Sequence, residues 1–375
     1  MPHLTSRLIA AVLALVFAAV PGAIRAHNPP QVQAPAAVKP VPPAPLDPAT
    51  LQRKIDELID GHMKVNGFSG SVLLAREGKP LVAKGYGYAN VEWQIPNAPN
   101  TKFRIGSITK QFTSMLVMQL REQGKIKLED SMCLYVSPCP DTWKPVTIHH
   151  LLTHTGGTGD IFGPELTAKR LEIRVHDDYI ALYGKRAPAF EPGSRWAYSN
   201  YGMVLLGVVI ERVSGQSYYD YVAEHIYKPA GMTLSGSPLE SDVVPGRAVG
   251  YIRQSGKWAP NSPTLGVRGS AAGGGLSTVG DLLKFSEALM ANKLLSPENT
   301  QLLITGKAGP TGSYAYGFED GRKNGVGAVG HSGGAPGMNG DLRIYPQSGY
   351  VVVVLSNLDP PAAQQVSAYI NLRLP

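Results

Sequence analysis

A serine and a lysine three residues apart, Ser107 and Lys110, are spaced for nucleophilic chemistry. A serine hydroxyl becomes an effective nucleophile when a neighbouring base takes its proton. The apolar residues around the pair have the spacing of a helix with one face in a core: Ile108, Phe112, Met115 and Leu116. Residues three apart on a helix lie on the same face, one turn apart. The sequence therefore predicts that the amine of Lys110 stands beside the hydroxyl of Ser107.

A competing motif, Gly330-His331-Ser332-Gly333-Gly334, has the G-x-S-x-G form of the nucleophile elbow of α/β-hydrolases. That elbow needs a helix directly after the serine, and an acid and then a histidine later in the chain. His331 is the last histidine of the sequence, and the following Ala335-Pro336-Gly337 does not favour a long helix. We therefore expect no elbow at Ser332.

Three histidines, His149, His150 and His154, form another candidate group. The spacing of His150 and His154 would let two imidazoles share a helix face and bind a metal ion. No glutamate lies between them as in H-E-x-x-H, and the following Thr155-Gly156-Gly157 predicts a helix that ends in a glycine turn. We therefore expect hydrogen-bonded histidines at a helix end, and no metal site.

The composition is that of a globular chain with a substantial core. Of its 375 residues, 43% are hydrophobic and 17% are charged, which is typical of one large or two ordinary domains. The net charge is +7, but the basic residues are scattered, and no basic run is interleaved with aromatic residues. We therefore expect no nucleic-acid partner.

The beginning of the sequence has the features of a secretory signal. Arg7 precedes an uncharged apolar run, residues 8–20, and small residues follow as far as Ala26. The run is too short for a bilayer, which needs about 20 apolar residues. We expect residues 1–26 to be a signal peptide, the mature protein to be periplasmic or secreted, and no membrane span to remain after cleavage.

A proline-rich segment follows the expected cleavage site. Such a segment favours extended polyproline conformations and cannot bury a core, so we expect residues 27–48 to form a linker. The folded domain, residues 49–375, would begin with a helix capped by Thr50. The apolar residues of that helix are Leu51, Ile55, Leu58 and Ile59.

Strand patterns lie near both ends of the domain, and helical patterns lie between them. Residues 67–75 and 79–87 predict a hairpin with Gly78 in its turn. Further strands are expected at residues 314–318, 327–331, 340–345 and 350–355. Helices are expected at residues 145–152, 165–183, 201–214, 218–228, 281–291 and 361–374. The expected fold class is α/β (α+β): an antiparallel sheet built from both chain ends and flanked by helices (residues 49–105 and 280–375), with an inserted, mainly helical lobe (residues 106–279).

The only two cysteines, Cys133 and Cys139, lie close together in a loop that contains proline. In an exported protein, a close pair usually forms a local disulfide, worth on the order of 2 kcal/mol by the chain-entropy model. We expect this disulfide; the alternative is two reduced thiols.

Three motifs in order along the chain carry a resemblance to a known family: Ser107-Ile108-Thr109-Lys110, Tyr198-Ser199-Asn200 and His331-Ser332-Gly333. The chain resembles the serine β-lactamase and DD-peptidase superfamily, in particular the branch with class C β-lactamases, DD-carboxypeptidases, D-amino-acid peptidases and β-lactamase-like carboxylesterases. That branch has Ser-x-x-Lys, then Tyr-x-Asn on a helical lobe, then Lys/His-x-Gly on a strand. The resemblance covers residues 50–372.

The resemblance implies a serine hydrolase that forms an acyl-enzyme on Ser107, without metal or organic cofactor. Lys110 and Tyr198 would relay the serine proton to the leaving group, and Tyr198 would activate water. The backbone N–H groups of Ser107 and Gly334 would form the oxyanion hole. The residues implied to bind the substrate are Asn200, His331, Ser332 and Gly333; Asn200 would alternatively orient Lys110.

Proton transfer requires unusual pKa values. At its ordinary pKa of about 10.4, Lys110 would cost about 4 to 5 kcal/mol to deprotonate at pH 7, and burial or nearby positive charge would lower that cost. Nearby cations would instead favour the phenolate of Tyr198. We therefore expect Lys110 and Tyr198 to titrate as a coupled pair.

The histidine of the third motif bears on the substrate. Many β-lactamases of the superfamily have lysine at this position, whereas His331 is expected to titrate near neutrality and to make activity follow its charge between about pH 5.5 and 7.5. This argues against efficient β-lactam hydrolysis. It leaves small-molecule or peptide substrates open: D-amino-acid peptides and carboxylic esters. The non-enzymatic alternative is a penicillin- or peptidoglycan-binding protein without turnover.

Overall fold

The computed structural model describes residues 47–65, 67–325 and 327–374. The expected signal peptide, and the expected linker up to residue 46, lie outside the described residues. Among the residues that are described, no helix combines the length and the apolar character needed to cross a membrane.

The observed order of strands and helices agrees only in part with the order expected from the sequence. In the described part of the chain the strands are β1 (Gly70–Arg76), β2 (Lys79–Tyr86), β3 (Tyr88–Asn90), β4 (Ile95–Pro96), β5 (Phe103–Arg104), β6 (Tyr251–Gln254), β7 (Lys257–Pro260), β8 (Leu276–Ser277), β9 (Glu319–Asp320), β10 (Val329–Ala335), β11 (Met338–Ile344) and β12 (Tyr350–Ser356). The helices are α1 (Pro48–Lys64), α2 (Thr109–Glu122), α3 (Ile148–Thr153), α4 (Pro164–Lys169), α5 (His176–Tyr183), α6 (Asn200–Ser214), α7 (Tyr218–Val222), α8 (Lys228–Ala230), α9 (Val279–Met290), α10 (Pro297–Ile304) and α11 (Ala362–Asn371).

A six-stranded antiparallel sheet joins the two ends of the domain, in the order β2-β1-β12-β11-β10-β9. The first hairpin pairs with the last strand, with Val72 opposite Val354. In the β1–β2 turn, Glu77 and Gly78 both have positive φ, which suits the twist of a tight hairpin. The expected antiparallel sheet built from both chain ends, with helices around it, is confirmed.

Two apolar clusters cover the two faces of the sheet. Successive residues of β12 point to opposite faces, so Val352 and Val354 pack towards α1 and α11, while Val353 packs towards α2, α6 and α9. The second cluster contains α2, in which every residue from Thr109 to Met118 is buried. A helix that is buried on all sides lies inside a core. The segment after Ser107 is thus held in place by the centre of the protein.

Several elements differ from the sequence-based expectations. Asp47, not Thr50, caps α1: its carboxylate accepts hydrogen bonds from the backbone N–H groups of Ala49 and Thr50 at 3.1 and 3.0 Å. Pro48 needs no N–H partner at the first helical position, so the helix starts earlier. The helix expected at residues 165–183 is interrupted, because Asp178 accepts hydrogen bonds from the backbone of residues 174–175 and starts α5 anew.

Two further differences concern strands. No strand forms at residues 314–318. Gly317 has a φ of +68°, and the N–H of Ala315 donates to the carbonyl of Phe318, three residues later, at 2.7 Å. The chain therefore turns before β9. The hairpin β6–β7 lies in the region expected to be helical or irregular, and its turn has Ser255 and Gly256 at positive φ.

The structure places the two cysteines together. Cys133 and Cys139 are bonded, with their Cα atoms 5.4 Å apart. The bridge closes a loop between α2 and α3, next to residues of the larger apolar cluster.

Candidate active site

Ser107 lies in a 3-10 turn, Gly106–Ile108, that leads directly into α2. The sequence predicted that Ser107 lies in the first turn of the α-helix. It lies instead in the 3-10 turn before that helix, but its side chain still faces the side chain of Lys110. Gly106 has a φ of +53°, a conformation that favours glycine. A Cβ atom on Gly106 would lie 2.8 Å from the backbone nitrogen of Gly334, so only glycine allows this close approach of turn and strand.

Lys110 is completely buried at the start of α2. Its Nζ lies 2.9 Å from Ser107 Oγ, 2.7 Å from Asn200 Oδ1 and 2.6 Å from the carbonyl oxygen of Ala272. The amide and carbonyl oxygens are acceptors only, so each takes an N–H of Lys110. A neutral amine has two N–H groups and one lone pair. Its lone pair is then left for the hydroxyl proton of Ser107, as a general base requires.

Burial supplies the neutral amine. It lowers the pKa of Lys110 to about 7, against the opposing negative charge of Asp160. A substantial fraction of Lys110 is therefore deprotonated at neutral pH. The direction of the shift is the one expected from burial.

Tyr198 stands on the other side of Ser107. The amine of Lys110 lies 4.8 Å from the centroid of its ring. Burial raises the pKa of Tyr198, and a hydrogen bond with Ser107 only partly offsets that rise. Burial, and not a nearby cation, sets the direction of this shift, so Tyr198 is a phenol and Lys110 is the group that loses its proton first.

His154 holds the segment that carries Tyr198. It ends α3 with a φ of +59°, and its carbonyl accepts a hydrogen bond from the N–H of Ala197 at 3.0 Å. Its Nδ1 accepts a hydrogen bond from the N–H of Ser199 at 3.3 Å. The two rings, of His154 and Tyr198, have centroids 4.5 Å apart. His154 thus fixes the backbone on both sides of Tyr198 and packs against its ring.

Asn200 is the first residue of α6. It accepts a hydrogen bond from Lys110 through Oδ1, while its Nδ2 donates to the two carboxylate oxygens of Asp160 at 3.0 and 3.2 Å. A carboxylate accepts but does not donate, so Asp160 fixes which end of the amide faces Lys110. Asp160 was missed by the sequence reasoning, because an isolated acid in a glycine-rich loop carries no periodic signal.

The end of β10 passes next to the Ser107 turn. In the described part of the chain, β9 pairs only with Val329 and Gly330, which leaves this edge of β10 open from His331 onward. A Cβ atom on Gly333 would lie 2.1 Å from the carbonyl oxygen of Ile105 and 3.0 Å from the nitrogen of Ser107. Asn339 of β11 holds Gly333 by donating to its carbonyl at 2.8 Å. The backbones of Ser107 and Gly334 therefore lie on two segments in direct contact.

His331 lies in a hydrogen-bonded row of buried side chains. Because Ser199 donates to Nδ1 of His154, the proton of His154 is on Nε2, which donates to the hydroxyl of Tyr314 at 2.8 Å. The hydroxyl of Tyr314 in turn donates to Nε2 of His331 at 3.1 Å, and Nδ1 of His331 donates to the carbonyl of Ser332. Every donor has an acceptor when both histidines are neutral.

The charge of His331 differs from the expectation. Burial lowers the pKa of His331 to about 4; Glu319 favours the protonated form, whereas Lys110 and Arg343 oppose it. The expectation that His331 titrates near neutrality is wrong, because the side chain is only 3% exposed. The strand position occupied by lysine in many β-lactamases thus has no charge here at physiological pH.

Ser332 and the two other histidines have structural surroundings. Ser332 donates to Glu319 at 3.4 Å, and β10 turns directly into β11 after it, so no nucleophile elbow forms. His149 bonds to the hydroxyl of Tyr316 at 2.8 Å, and His150 accepts a hydrogen bond from the N–H of Thr147 at 3.3 Å. Among the residues that the structure describes, no three His, Cys, Asp or Glu side chains are placed to hold a metal ion.

Ser107 opens into a cleft of about 530 Å³. We call the part of its lining formed by Ser107, Tyr198, Asn200 and Gly334 the reacting wall. His331, Ser332 and Gly333 do not belong to the lining. The part of the lining contributed by residues 161–173 and 264–268 is called the outer wall. The structure therefore brings together five of the residues singled out in the sequence. Four of them line the cleft, and buried Lys110 contacts Ser107 and Asn200 behind it.

Comparison with known proteins identifies the family. A family model described as Beta-lactamase matches residues 55–374, nearly all of the described chain. The chain belongs to the β-lactamase family. As a member of the serine β-lactamase and DD-peptidase superfamily it is a serine hydrolase, and the resemblance seen in the sequence is confirmed.

Named relatives of this β-lactamase family member include penicillin-binding proteins. It is 32% identical to PbpX of Bacillus subtilis (strain 168), named as a penicillin-binding protein, over 80% of this chain and 73% of that protein. The chain spans 73% of the length of PbpX and between 66% and 68% of the length of two other curated relatives.

Solved structures of the same fold agree. A penicillin binding protein from Bacillus halodurans has a TM-score of 0.78 and 31% identity, covering 88% of this chain and 99% of that one. A D-stereospecific amidohydrolase from Streptomyces has a TM-score of 0.70 and 25% identity, covering 87% of this chain and 98% of that one.

Proposed function

We propose that this protein is an exported serine hydrolase that forms an acyl-enzyme on Ser107 and acts on an amide or ester, either a D-amino-acid peptide or a carboxylic ester. One observation carries the proposal: Ser107 Oγ lies 2.9 Å from a buried amine whose other two partners are acceptors, at the opening of a cleft. The export rests on the sequence of residues 1–26 alone.

Acylation would begin from neutral Lys110. Ser107 Oγ attacks the substrate carbonyl, and its proton passes to the lone pair of Lys110 as the new C–O bond forms. The phenol of Tyr198, hydrogen-bonded to Ser107, then gives a proton to the leaving nitrogen or oxygen as the old bond breaks, and it regains one from Lys110. Asn200 and Asp160 keep the amine aligned throughout.

The negative charge on the carbonyl oxygen would be met by the backbone N–H groups of Ser107 and Gly334. Ser107 stands at the N-terminal entrance of α2, where unpaired N–H groups favour an anion. Losing one such donor typically costs about 100- to 1,000-fold in rate. In the second half of the reaction, water would attack the acyl-enzyme and give a proton to the Tyr198–Lys110 pair. That pair would return a proton to Ser107 Oγ as the acyl C–O bond breaks and the acid is released.

The substrate class is inferred from what surrounds Ser107. Neutral His331 offers no cation for a substrate carboxylate next to the reacting carbonyl, which argues against efficient β-lactam hydrolysis. The likeness to a D-stereospecific amidohydrolase supports D-amino-acid amides as one candidate class. Neutral carboxylic esters fit the same uncharged surroundings.

Labelling with a fluorophosphonate probe tests the proposal. We expect one adduct, on Ser107, when the intact mass is measured and the peptides are mapped. An adduct on Ser332 would show that the wrong motif was chosen, and no adduct would contradict an activated serine.

A time course of intact mass with an ester substrate tests turnover. An enzyme shows an acyl adduct that decays as product accumulates. A persistent adduct without product would support the alternative of a penicillin- or peptidoglycan-binding protein.

A further inference from the structure

The outer wall of the cleft differs chemically from the reacting wall. Its residues come from the segment around α4 and from the loop before Gly269. Its apolar side chains are Ile161, Phe162, Leu166, Ile173, Leu265 and Val267. Phe162 is 66% exposed, which is unusual for a large apolar side chain. An apolar stretch of a substrate would cover this surface.

Charged residues also line the cleft. They are three arginines, Arg104, Arg170 and Arg268, and one acid, Glu240. Arg104 donates two hydrogen bonds to the carboxylate of Glu240. One comes from Nε at 3.0 Å, and the other comes from Nη2. Arg247 reaches the same carboxylate at 3.4 Å. The single acid of the lining is therefore already neutralised by Arg104 and Arg247.

The other two arginines have no such partner. In the described part of the chain neither Arg170 nor Arg268 forms an ion pair with a carboxylate. Arg170 donates through Nη1 to the carbonyl of Thr167 at 2.8 Å, and its Nε is buried without a hydrogen-bond partner. Arg268 lies 3.5 Å above the ring of Tyr219 and donates through Nε to the carbonyl of Ser237.

The backbones of these two residues both pass close to Gly266, and both side chains line the same cleft. A Cβ atom on Gly266 would lie 3.3 Å from the carbonyl oxygen of Arg170 and 4.0 Å from that of Arg268. Both side chains are half-buried in one concave surface. In the described part of the chain, these two positive charges have no carboxylate within ion-pair distance, and a cleft with apolar walls focuses their field on an anion.

We infer that Arg170 and Arg268 bind a carboxylate of the substrate that an apolar stretch connects to the carbonyl attacked by Ser107. The inference rests on the proposed function and names its substrate class. Guanidinium groups bind carboxylates through paired, charge-assisted hydrogen bonds. The substrate's charge lies at the outer wall because His331 is neutral and gives the reacting wall no fixed cation.

Two sources offer such a carboxylate, and matched substrate pairs distinguish them. One pair is a 4-nitrophenyl monoester of a dicarboxylic acid of five to eight carbons and the alkanoyl ester of equal length. The other is the 4-nitroanilide of N-acetyl-D-glutamate and that of N-acetyl-D-glutamine. For at least one pair we expect kcat/KM to favour the anionic substrate by about tenfold or more, and high salt to reduce that ratio.

The variant that tests the site is Arg170→Gln with Arg268→Gln. We expect the ratio of kcat/KM, anionic over neutral, to fall by about tenfold or more, with a smaller fall in the variants Arg170→Lys and Arg268→Lys, which keep the charge but lose the planar fork. Arg76→Gln is the control: Arg76 lies outside the cleft, 5.2 Å from the ring centroid of Tyr350, and its loss should leave the ratio unchanged.

The inference is overturned if the wild-type protein hydrolyses both members of every pair equally, or if the double variant slows both members by the same factor. The first measurement needs no variant, so a double variant that fails to fold does not remove the test. Failure of the proposed function looks different: no substrate of either charge is hydrolysed, and the fluorophosphonate probe leaves Ser107 unlabelled.

Discussion

The two walls of the cleft are built on different principles. Around the reacting wall, Lys110, Tyr198 and Asn200 are held by buried hydrogen bonds and by the core elements α2 and α6. The outer wall includes α4, in which no residue is buried, and two arginines without a carboxylate partner in the described chain. Chemistry requires fixed distances, whereas recognition tolerates an open surface. Substitutions should therefore abolish the reaction at one wall and change substrate preference at the other.

The rigidity of the reacting wall follows from satisfied polar groups in a low-dielectric interior. A buried amine without partners would cost several kcal/mol, but Lys110 meets two acceptors and one hydroxyl. The row from His154 through Tyr314 to His331 is equally complete. These hydrogen bonds hold the side chains of the reacting wall in place before a substrate binds.

The largest expected effect separates Ser107 from the other candidate serine. Ser107→Ala should reduce hydrolysis by about 10,000-fold or more, because the nucleophile is lost, with little change in thermal stability since only one oxygen is removed. Ser332→Ala is the matched change on β10 and should retain at least about a tenth of the activity, because Ser332 bonds to Glu319. Steady-state kinetics with one ester tests both, and an equal loss would contradict the assignment.

A methyl group at Gly333 should displace the backbone of the reacting wall without changing any catalytic side chain. In Gly333→Ala the new Cβ would meet the carbonyl of Ile105 at 2.1 Å, so β10 must move away from the Ser107 turn. We expect kcat to fall by about 100-fold, the typical effect of losing one oxyanion donor.

Gly325→Ala is a suitable control for Gly333→Ala, because nothing lies within 4 Å of its added Cβ, although its φ of +78° carries some strain. Comparable kcat values in the two variants would contradict the role given to the Gly333–Gly334 backbone.

The pH profile should report Lys110 and not His331. Neutral Lys110 is the active form and its pKa is lowered to about 7, so kcat/KM should rise with pH through about 7 and fall away at lower pH.

Asp160 favours the ammonium form, so Asp160→Asn should lower the pKa of Lys110 and move the rising limb of the pH profile to lower pH. A several-fold loss of rate should accompany it, because the carboxylate no longer orients Asn200.

His331→Gln is the control for this assignment. The pKa of His331 is lowered to about 4, so the variant should leave the limb near pH 7 in place whatever its rate. A limb that disappears in His331→Gln, or that stays fixed in Asp160→Asn, would show that another group controls the profile.

Sequence reasoning reached the parts of the site that depend on local spacing. Ser107 and Lys110 are three residues apart, and helical geometry alone places their side chains together. The sheet was also predictable, because β1, β2, β11 and β12 have strand patterns ended by turn residues.

The remainder depends on contacts between distant loops. Asp160 meets Asn200 from 40 positions away, and Tyr314 meets His154 from 160 positions away, in segments without periodic patterns. The pKa values of Tyr198 and His331 are set mainly by burial, which no motif encodes. The motif identified the residues, but only the fold determined which of them carries the proton.

The smallest expected effect concerns the outer wall. Phe162→Ala removes an exposed ring that lines the cleft, so the preference for long acyl chains over short ones should fall by about threefold to tenfold, as a lost apolar contact of this size predicts. The ratio of kcat/KM for octanoyl and acetyl 4-nitrophenyl esters measures it. Trp93→Ala is the matched control, because Trp93 is 77% exposed and does not line the cleft. An equal change in both variants would mean that the effect is not specific to the outer wall, and an unchanged ratio in Phe162→Ala would mean that the acyl chain does not reach it.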